Sequence, residues 1–224
     1  MAAIIAIDGP AGAGKSTVAR KLARRLGYSM VDTGAIYRAV ALAAQRAGIA
    51  WDDDAGLARL LARPGLPIVF GDDDTVLLDG EDVTAAIRTP EMSRGASVVS
   101  ARPVVRKRLL DLQRTLGRAA PRGAVLEGRD IGTVVFPDAT VKFFLTAADE
   151  ARARRRHAEL AGKGHEVGLS DVLQDQRRRD KDDTERAIAP LKPAADAIVV
   201  DTTGLDLDQV VERCFRAVRE RVAG

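Results

Sequence analysis

The sequence predicts an α/β fold in which a five-stranded parallel sheet lies between layers of helices, with a phosphate-binding loop after the first strand. Three observations lead to this prediction. Short apolar runs alternate with longer segments whose apolar residues recur every three or four positions, as in buried strands and amphipathic helices. A glycine-rich loop joins the first apolar run to the first amphipathic segment. Polar residues follow three of the apolar runs, where the carboxyl ends of parallel strands form ligand sites.

The glycine-rich loop carries the strongest functional signal. Residues 9–16 read Gly-Pro-Ala-Gly-Ala-Gly-Lys-Ser, which matches the phosphate-loop pattern G-x-x-x-x-G-K-[ST]. The apolar run 4–7 ends at Asp8, immediately before the loop, and predicts a buried parallel strand. After the loop, Val18 and Leu22 lie four residues apart on the apolar face of a predicted helix.

This order of strand, loop and helix would let backbone N–H groups and a helix N-terminus face a polyphosphate. Lys15 would reach the β- and γ-phosphates, and Ser16 would bind Mg²⁺ together with phosphate oxygens and water. The loop therefore predicts a nucleoside triphosphate site. Its nucleotide-binding residues would be contiguous along the chain: Gly9, Pro10, Ala11, Gly12, Ala13, Gly14, Lys15, Ser16 and Thr17.

The segment after the first helix predicts one strand, two helices and a small β insertion. Residues 28–31 form a second apolar run, and residues 35–47 place apolar side chains on one helical face before Gly48. Residues 52–62 predict a short helix. Residues 66–83 contain short apolar runs separated by Gly- and Asp-containing turns, which predict antiparallel strands.

The second half of the chain returns to alternating helices and strands. Pro103 begins a helix, and three further apolar runs predict strands at residues 124–127, 141–145 and 197–201. Residues 207–222 predict a closing helix.

Between the last two strands, residues 149–190 are rich in arginine and interrupted by glycine, with the second of two predicted helices beginning at Ser170. We expect this segment to be a lid that excludes water from a phosphoryl-transfer site.

Composition limits the class of protein. The chain has 224 residues, a net charge of +3, one cysteine and no long apolar segment. These values predict a cytoplasmic protein with no membrane span, no internal disulfide and Cys214 as a buried structural thiol. The two histidines have no other metal-ligand pattern around them, which argues against a metal site made by the protein alone.

The distribution of charge leaves alternatives open. Arginines cluster at residues 152–186, which would suit nucleic acid or a smaller polyanion. Arg179, Asp183 and Arg186 share one helical face and could form either an exposed ion-pair ladder or a preorganised clamp. Similarly, Tyr37 and Arg38 could be a core side chain and a solvated charge, or could bind an anion.

The reaction class is indicated by two motifs that the sequence lacks and by arginines that it has in addition to the loop. The sequence has no N-K-x-D guanine-reading motif and no apolar run ending in Asp-Glu. It has instead further candidate anion-binding residues at Arg38, Arg106 and Arg129. Direct phosphoryl transfer to an anionic acceptor needs such cations, and an acceptor phosphate needs no general base. A kinase acting on a small anionic acceptor is therefore favoured.

Four sequence runs together resemble the bacterial cytidylate kinase family from about residue 3 to the C-terminal helix. They are Ile7–Thr17 (IDGPAGAGKST), Asp32–Arg38 (DTGAIYR), Gly128–Ala139 (GRDIGTVVFPDA) and Arg186–Leu191 (RAIAPL). The first run occurs in many phosphate-loop kinases, whereas the other three are specific to this family. The resemblance implies phosphoryl transfer from Mg·ATP to CMP or dCMP.

The resemblance also implies the roles of individual residues. Thr33, Arg106 and Asp130 would contact the cytosine and ribose side of CMP, supported by Ser97. The remaining acceptor-binding residues would hold its phosphate and sugar, namely Tyr37, Arg38, Arg129, Arg179, Asp183 and Arg186. The catalytic cations would be Lys15, Arg129, Arg155, Arg179 and Arg186, with Arg155 chosen among residues 152–156 as the phosphate ligand.

The same resemblance implies a division of the chain. A core would comprise residues 1–32, 90–148 and 191–224, residues 33–89 would bind the nucleoside monophosphate, and residues 149–190 would be the lid. We expect a monomer that binds neither nucleic acid nor membranes. Two alternatives remain at this point: a kinase for another small acceptor, such as shikimate or adenylate kinase, and a nucleotide-dependent RNA-binding module.

Overall fold

The computed structural model describes residues 2–62, 68–70, 75–162 and 164–222. Within these residues the strands are β1 (Ala3–Asp8), β2 (Ser29–Asp32), β3 (Ile68–Phe70), β4 (Val76–Leu78), β5 (Glu81–Asp82), β6 (Gly123–Gly128), β7 (Val141–Thr146) and β8 (Ile198–Asp201). The helices are α1 (Lys15–Leu26), α2 (Thr33–Arg46), α3 (Asp54–Ala62), α4 (Pro90–Ser100), α5 (Pro103–Arg118), α6 (Asp149–Gly162), α7 (Leu169–Glu185) and α8 (Leu207–Val222).

The larger sheet confirms the predicted α/β fold. Its five strands follow the order β2-β6-β1-β7-β8, with β1 between β6 and β7. β1 pairs in parallel with both neighbours, and Asp8 at its end lies opposite Gly128 of β6 and Phe144 of β7. The carboxyl ends of these three strands therefore meet at one edge, beside the glycine-rich loop.

A continuous apolar core holds the sheet and two helices together. Ile7 of β1 and Phe143 of β7 are buried in one cluster with Leu22 of α1 and Val218 of α8. The same cluster contains Cys214, whose burial agrees with the structural role expected of it. Because α1 follows the loop directly, this core fixes where the loop begins and ends.

The predicted β insertion is present as a separate antiparallel sheet of β3, β4 and β5. Residues 66–67 and 71–74 of the predicted insertion lie outside the described residues, as does Lys163 in the predicted glycine break. No helix in the described ranges is long and apolar enough to cross a membrane.

The chain forms two compact units. The first unit comprises Met1–Val31 and Arg114–Gly224, and the second unit comprises Asp32–Gln113. Residues 90–113, which we expected in the core, group with the second unit because α4 packs along α2. Gly95 of α4 makes this packing possible, since a Cβ atom there would lie 2.7 Å from Trp51.

Two helix starts differ from the prediction. No helix was predicted between residues 84 and 102, yet α4 begins at Pro90, and the Oγ1 of Thr89 accepts a hydrogen bond from the Met92 N–H at 3.1 Å. Threonine followed by proline is a common helix start, so a local signal was present. α7 begins at Leu169 after Gly168, and Ser170 therefore lies inside the helix rather than at its N-cap.

Candidate active site

The phosphate loop joins β1 to α1 with the geometry that its motif predicts. Gly14 occupies the N-cap of α1 at φ 87°, a left-handed conformation that favours glycine. No described side chain caps this helix, so the N–H groups of its first turn are left for a ligand. A helix N-terminus of this kind attracts anions through its partial positive charge.

Lys15 is buried at the start of α1 with its charge only partly balanced. Its Nζ donates a hydrogen bond to the carbonyl of Pro10 at 2.8 Å. Burial and the nearby guanidinium of Arg129 lower the pKa of Lys15 to about 7, against the opposing influence of the carboxylates of Glu127, Asp183 and Asp8. A polyphosphate beside Lys15 would favour its charged form.

Ser16 and Glu127 form an oxygen pair at the same edge of the sheet. The hydroxyl of Ser16 donates to Oε1 of Glu127 at 2.5 Å, and Glu127 is buried at the end of β6. Glu127 is not among the predicted site residues, although an acidic residue near the end of an otherwise apolar strand was a usable signal. Oxygen donors of this type suit Mg²⁺. Among the described residues no cluster of three His, Cys, Asp or Glu could hold a metal, so a cation here would need ligand oxygens as well.

Asp8 fixes the turn that follows β6. Its carboxylate oxygens accept hydrogen bonds from the N–H groups of Ile131 and Gly132 at 2.8 and 2.7 Å. Burial raises the pKa of Asp8 to about 6, although these two hydrogen bonds act in the opposite direction. The turn holds Arg129 and Asp130 directly beyond the end of β6.

An ion-pair cluster joins this turn to α7 and the residue that follows it. Arg129 Nε donates to Asp183 Oδ2 at 2.8 Å. Arg186 Nη1 lies 3.7 Å from Asp183 Oδ1, and Arg186 Nη2 lies 3.5 Å from Asp130 Oδ1. The side chains of Asp130, Asp183 and Arg186 are at most 10% exposed. Arg186 lies just beyond the end of α7, in extended backbone, so it does not continue the helical face of Arg179 and Asp183 as expected. The contacts of Asp183 and Arg186 nevertheless form a buried cluster rather than an exposed ladder.

Within this cluster the electrostatics favour a bound anion. Burial raises the pKa of Asp183, but the charges of Arg129, Arg186 and Arg179 outweigh it and hold the pKa below its usual value. Burial and the charge of Arg129 lower the pKa of Arg179. The Nε of Arg179 is buried and has no hydrogen-bond partner among the described residues, so a donor is left for a ligand.

In the second unit, three of the predicted acceptor-binding residues lie in the first two turns of α2. Asp32 caps the helix by accepting from the Ala35 N–H at 2.8 Å and from Arg38 Nη2 at 2.9 Å. Burial by itself would raise the pKa of Asp32. Arg38, the Ala35 N–H and Arg88 together have the larger effect, so the pKa of Asp32 lies below its usual value. Thr33 is buried beside Asp32, and the Nε of Arg38 is buried without a partner in the described ranges.

Tyr37 connects α2 to α5 within the same unit. Its hydroxyl accepts from Gln113 Nε2 at 3.3 Å, and the guanidinium carbon of Arg106 lies 6.0 Å from the centre of its ring. Arg106 is buried and donates to the carbonyl of Ser100, whose hydroxyl donates to the carbonyl of Ser97. One ring contact and two hydrogen bonds thus connect Tyr37, Arg106 and the backbone of Ser97 through Ser100.

Two arginines of α6 contact different parts of the first unit. Arg155, which we selected as the phosphate ligand, donates to the hydroxyl and the carbonyl of Thr202 at 2.9 and 2.5 Å. Arg152 instead reaches the phosphate loop, where its Nη1 donates to the carbonyl of Ala11 at 2.7 Å. A phosphate-binding role for Arg155 stays a prediction.

Comparison with known proteins decides the family. A sequence model of the family described as cytidylate kinase matches residues 5–220. The chain belongs to the cytidylate kinase family. The resemblance of the four sequence runs is therefore confirmed over nearly the whole chain.

Individual relatives agree with this assignment. A cytidylate kinase from Geobacter sp. (strain M21) is 54% identical over 98% of this chain and 94% of its own length. A cytidylate kinase from Geobacter sulfurreducens is 55% identical over 97% and 93% of the two chains. A crystal structure of an uncharacterized protein from Eubacterium ventriosum matches 98% of this chain and 99% of its own, with a TM-score of 0.54 and 14% identity, and supports the fold alone. As a member of the cytidylate kinase family, the chain is a phosphate-loop kinase.

Proposed function

We propose that this chain transfers the γ-phosphoryl group of ATP directly to CMP or dCMP, giving ADP and CDP or dCDP. The observation that carries the proposal is membership of the cytidylate kinase family over residues 5–220. The family implies ATP as the donor. The acceptor phosphate is ionised at neutral pH and needs no general base, so the protein's task is to position two anions and neutralise the charge that develops between them.

The donor would bind to the phosphate loop of the first unit. Gly9 to Thr17 would surround the donor phosphates, with backbone N–H groups offered by residues 12–17, and Lys15 would contact the β- and γ-phosphates. Ser16 and Glu127 would hold Mg²⁺ through oxygen atoms and bound water, and the ion would neutralise phosphate charge. Their hydroxyl–carboxylate contact of 2.5 Å supports this assignment, because both groups already lie beside the loop.

The acceptor would be recognised by side chains to which the family resemblance gives contacts with its base, sugar or phosphate. In the second unit, Arg106, Thr33 and Ser97 would serve the cytidine side and Arg38 with Tyr37 the phosphate. In the first unit, Asp130 would contact the base edge and Asp183 the sugar hydroxyls. The buried Nε of Arg38, which has no partner among the described residues, supports the role given to this arginine, since a buried donor without a partner is costly until a ligand supplies one.

Arg129, Arg179 and Arg186 would stabilise the transferring phosphoryl group. Arg129 and Arg186 are already oriented by Asp183 and would need little rearrangement when a phosphate arrives. We further propose that residues 149–190 form a lid over the reactants, in which Arg152 and Asp180 hold α6 and α7 against the phosphate loop, with residues 33–89 as the acceptor-binding region. The chain would act as a cytoplasmic monomer.

The reaction is tested by measuring ADP release with Mg·ATP and, in parallel, CMP, dCMP, UMP, AMP, GMP or shikimate. We expect rapid turnover with CMP and dCMP and slow or no turnover with AMP, GMP and shikimate. Turnover with shikimate or AMP alone would refute the acceptor assignment. A phosphorylated protein trapped from labelled ATP in the absence of CMP would refute direct transfer.

A nucleotide-dependent RNA-binding module is not favoured, because much of the arginine-rich segment is neutralised internally. Arg152 pairs with Asp149 and Asp180, and further ion pairs join Arg156 to Glu159, Arg177 to Asp149 and Glu150, and Arg178 to Asp175. Nonspecific RNA binding needs cations available for phosphates and gives an affinity that falls steeply with salt.

A further inference from the structure

Arg152 is a buried arginine that the proposed reaction does not use. It lies on α6, is 4% exposed and donates through three nitrogen atoms. Its Nε donates to the carbonyl of Ala147 at 3.1 Å, and its Nη2 donates to Asp149 at 2.6 Å. Its Nη1 donates both to the carbonyl of Ala11 at 2.7 Å and to Asp180 Oδ2 at 2.5 Å. These contacts leave little of the guanidinium for a phosphate.

Asp180 completes the contact from α7. While its Oδ2 accepts from Arg152, its Oδ1 accepts a hydrogen bond from the backbone N–H of Ala11 at 3.2 Å. Both backbone polar groups of Ala11, in the middle of the phosphate loop, are therefore held by two side chains from α6 and α7. We call Arg152 and Asp180 the loop pair.

The next residue of the loop is packed against the same two helices. A Cβ atom at Gly12 would lie 2.4 Å from Gln176 Nε2 and 3.1 Å from the Cβ of Arg152. Gln176 is buried on α7, and its Nε2 donates to the carbonyl of Arg152 at 3.4 Å. The loop therefore contacts α6 and α7 with no space for a side chain, and its position depends on these helices.

We propose that the loop pair is a positioning device that couples the phosphate loop to the arginine-rich segment. It holds Ala11 so that the following N–H groups face the donor phosphates, and it acts through the loop rather than by touching ATP. The segment that carries Arg179 and Asp183 is thereby joined to the donor site by charged hydrogen bonds, which fix direction as well as distance. The proposal rests on the proposed function in taking ATP as the loop's ligand.

The test compares Asp180→Ala and Asp180→Asn with Glu150→Gln. Glu150 lies on α6 and pairs with the exposed Arg177 of α7 at 3.2 Å, so it is a matched control for losing an ion pair between these two helices. Equilibrium ATP binding is measured by calorimetry without CMP, and kcat and both KM values by ADP release. We expect ATP affinity and kcat to fall at least tenfold in Asp180→Ala and less in Asp180→Asn. The KM for CMP should stay within twofold of wild type, and Glu150→Gln should match wild type.

Circular dichroism checks that each variant is folded, and Asp180→Asn keeps the test valid if Asp180→Ala does not fold, since it preserves the side-chain shape. Wild-type ATP affinity in a folded Asp180 variant would overturn the proposal. An equal loss of ATP and CMP affinity would also overturn it, because the pair would then only hold the fold together. A wild-type protein that binds ATP but does not phosphorylate CMP would refute the proposed function and leave the ATP-binding test of the loop pair intact.

Discussion

Individual buried charged side chains determine how strongly this protein would bind a phosphate group. Lys15, Glu127 and Asp183 are all buried, and each lies within the electrostatic influence of at least one opposite charge. Burial weakens the screening of these charges by water, so a phosphate added among them would interact strongly. These charges are therefore in place before any ligand binds. The protonation of Lys15 and the contact between Ser16 and Glu127 can each be tested by a single substitution.

The lowered pKa of Lys15 predicts proton uptake when ATP binds. In the free protein a pKa of about 7 leaves Lys15 largely neutral at pH 8. The negative phosphates would raise this pKa, so ATP affinity should fall as pH rises above 7, approaching tenfold per unit at most. Calorimetry at pH 8 in buffers of different ionisation enthalpy should reveal close to one proton taken up per Mg·ATP bound.

The control for this experiment is Lys15→Arg, because a guanidinium stays charged throughout this pH range. Its binding heats should be independent of the buffer, even though its affinity is reduced. Equal heats in all buffers for the wild-type protein would show that Lys15 is already charged before ATP arrives.

The contact between Ser16 and Glu127 predicts a changed magnesium requirement in Glu127→Gln. The amide can still accept a hydrogen bond from Ser16, but it no longer offers a negative charge to a cation. We expect kcat to fall roughly 10- to 1,000-fold and the half-saturating Mg²⁺ concentration to rise. Rates measured against free Mg²⁺ test this, with Glu159→Gln, in the ion pair with Arg156 on α6, as the control that should behave as wild type.

At the scale of elements, strands and their ends were readable from the sequence, whereas contacts between helices were not. The five predicted strands of the larger sheet all appear within one residue of their predicted bounds, because a buried strand needs a continuous apolar run. α4 was missed although Met92, Ala96 and Val99 have helical spacing, because Gly95 and three serines leave few large apolar residues on its buried face, which is held by packing on α2.

The choice of arginine in α6 illustrates the same limit at a single position. Arg152 and Arg155 are three residues apart, a spacing that places both near one side of a helix. Which of them reaches the phosphate loop is decided by α7, whose Asp180 attracts Arg152, and by Thr202, which accepts from Arg155. Both partners are distant in sequence, so spacing within α6 alone could not distinguish the two arginines.

The packing of α4 on α2 predicts a stability defect in Gly95→Ala. The added methyl group would lie 2.7–2.9 Å from Trp51 and Ala41, and Trp51 is held by a hydrogen bond from its Nε1 to the carbonyl of Ala41. Overpacking of this kind costs about 1–3 kcal/mol. Urea unfolding should show the loss as a lower midpoint.

Gly162→Ala provides the matched control, because a Cβ atom at the end of α6 would meet no other atom within 4 Å. It should leave stability unchanged or raise it by up to about 1 kcal/mol through helix propensity. A Gly95→Ala variant as stable as wild type would show that α4 can move away from Trp51 at little cost.

For the whole molecule, the main consequence of the site is that ligand binding and folding are linked. The net charge of +3 is small, and the clustered arginines described above are balanced largely by neighbouring carboxylates. Remaining buried donors, such as the Nε atoms of Arg38 and Arg179, lack partners among the described residues. A ligand that supplies acceptors to these donors stabilises the folded state and has no comparable site in the unfolded chain.

Thermal unfolding should therefore report the acceptor specificity without any turnover. At a concentration 100 times its dissociation constant, a ligand adds about 2.7 kcal/mol to the free energy of unfolding, which for a chain of this size raises the midpoint by roughly 5–10 °C. We expect CMP and dCMP to give such a shift, and AMP, GMP and shikimate at equal concentration to give much smaller ones.

Asp130→Ala separates recognition of the base from general binding of anions. Removing the carboxylate would leave a donor on the base edge without an acceptor, which costs roughly 1–3 kcal/mol and should lower the CMP-induced shift. The shift produced by Mg·ATP should remain, because the phosphate loop is unchanged. If CMP still stabilised this variant as it does the wild type, Asp130 would not read the base, and its contact with Arg186 at 3.5 Å would serve only to hold that arginine in place.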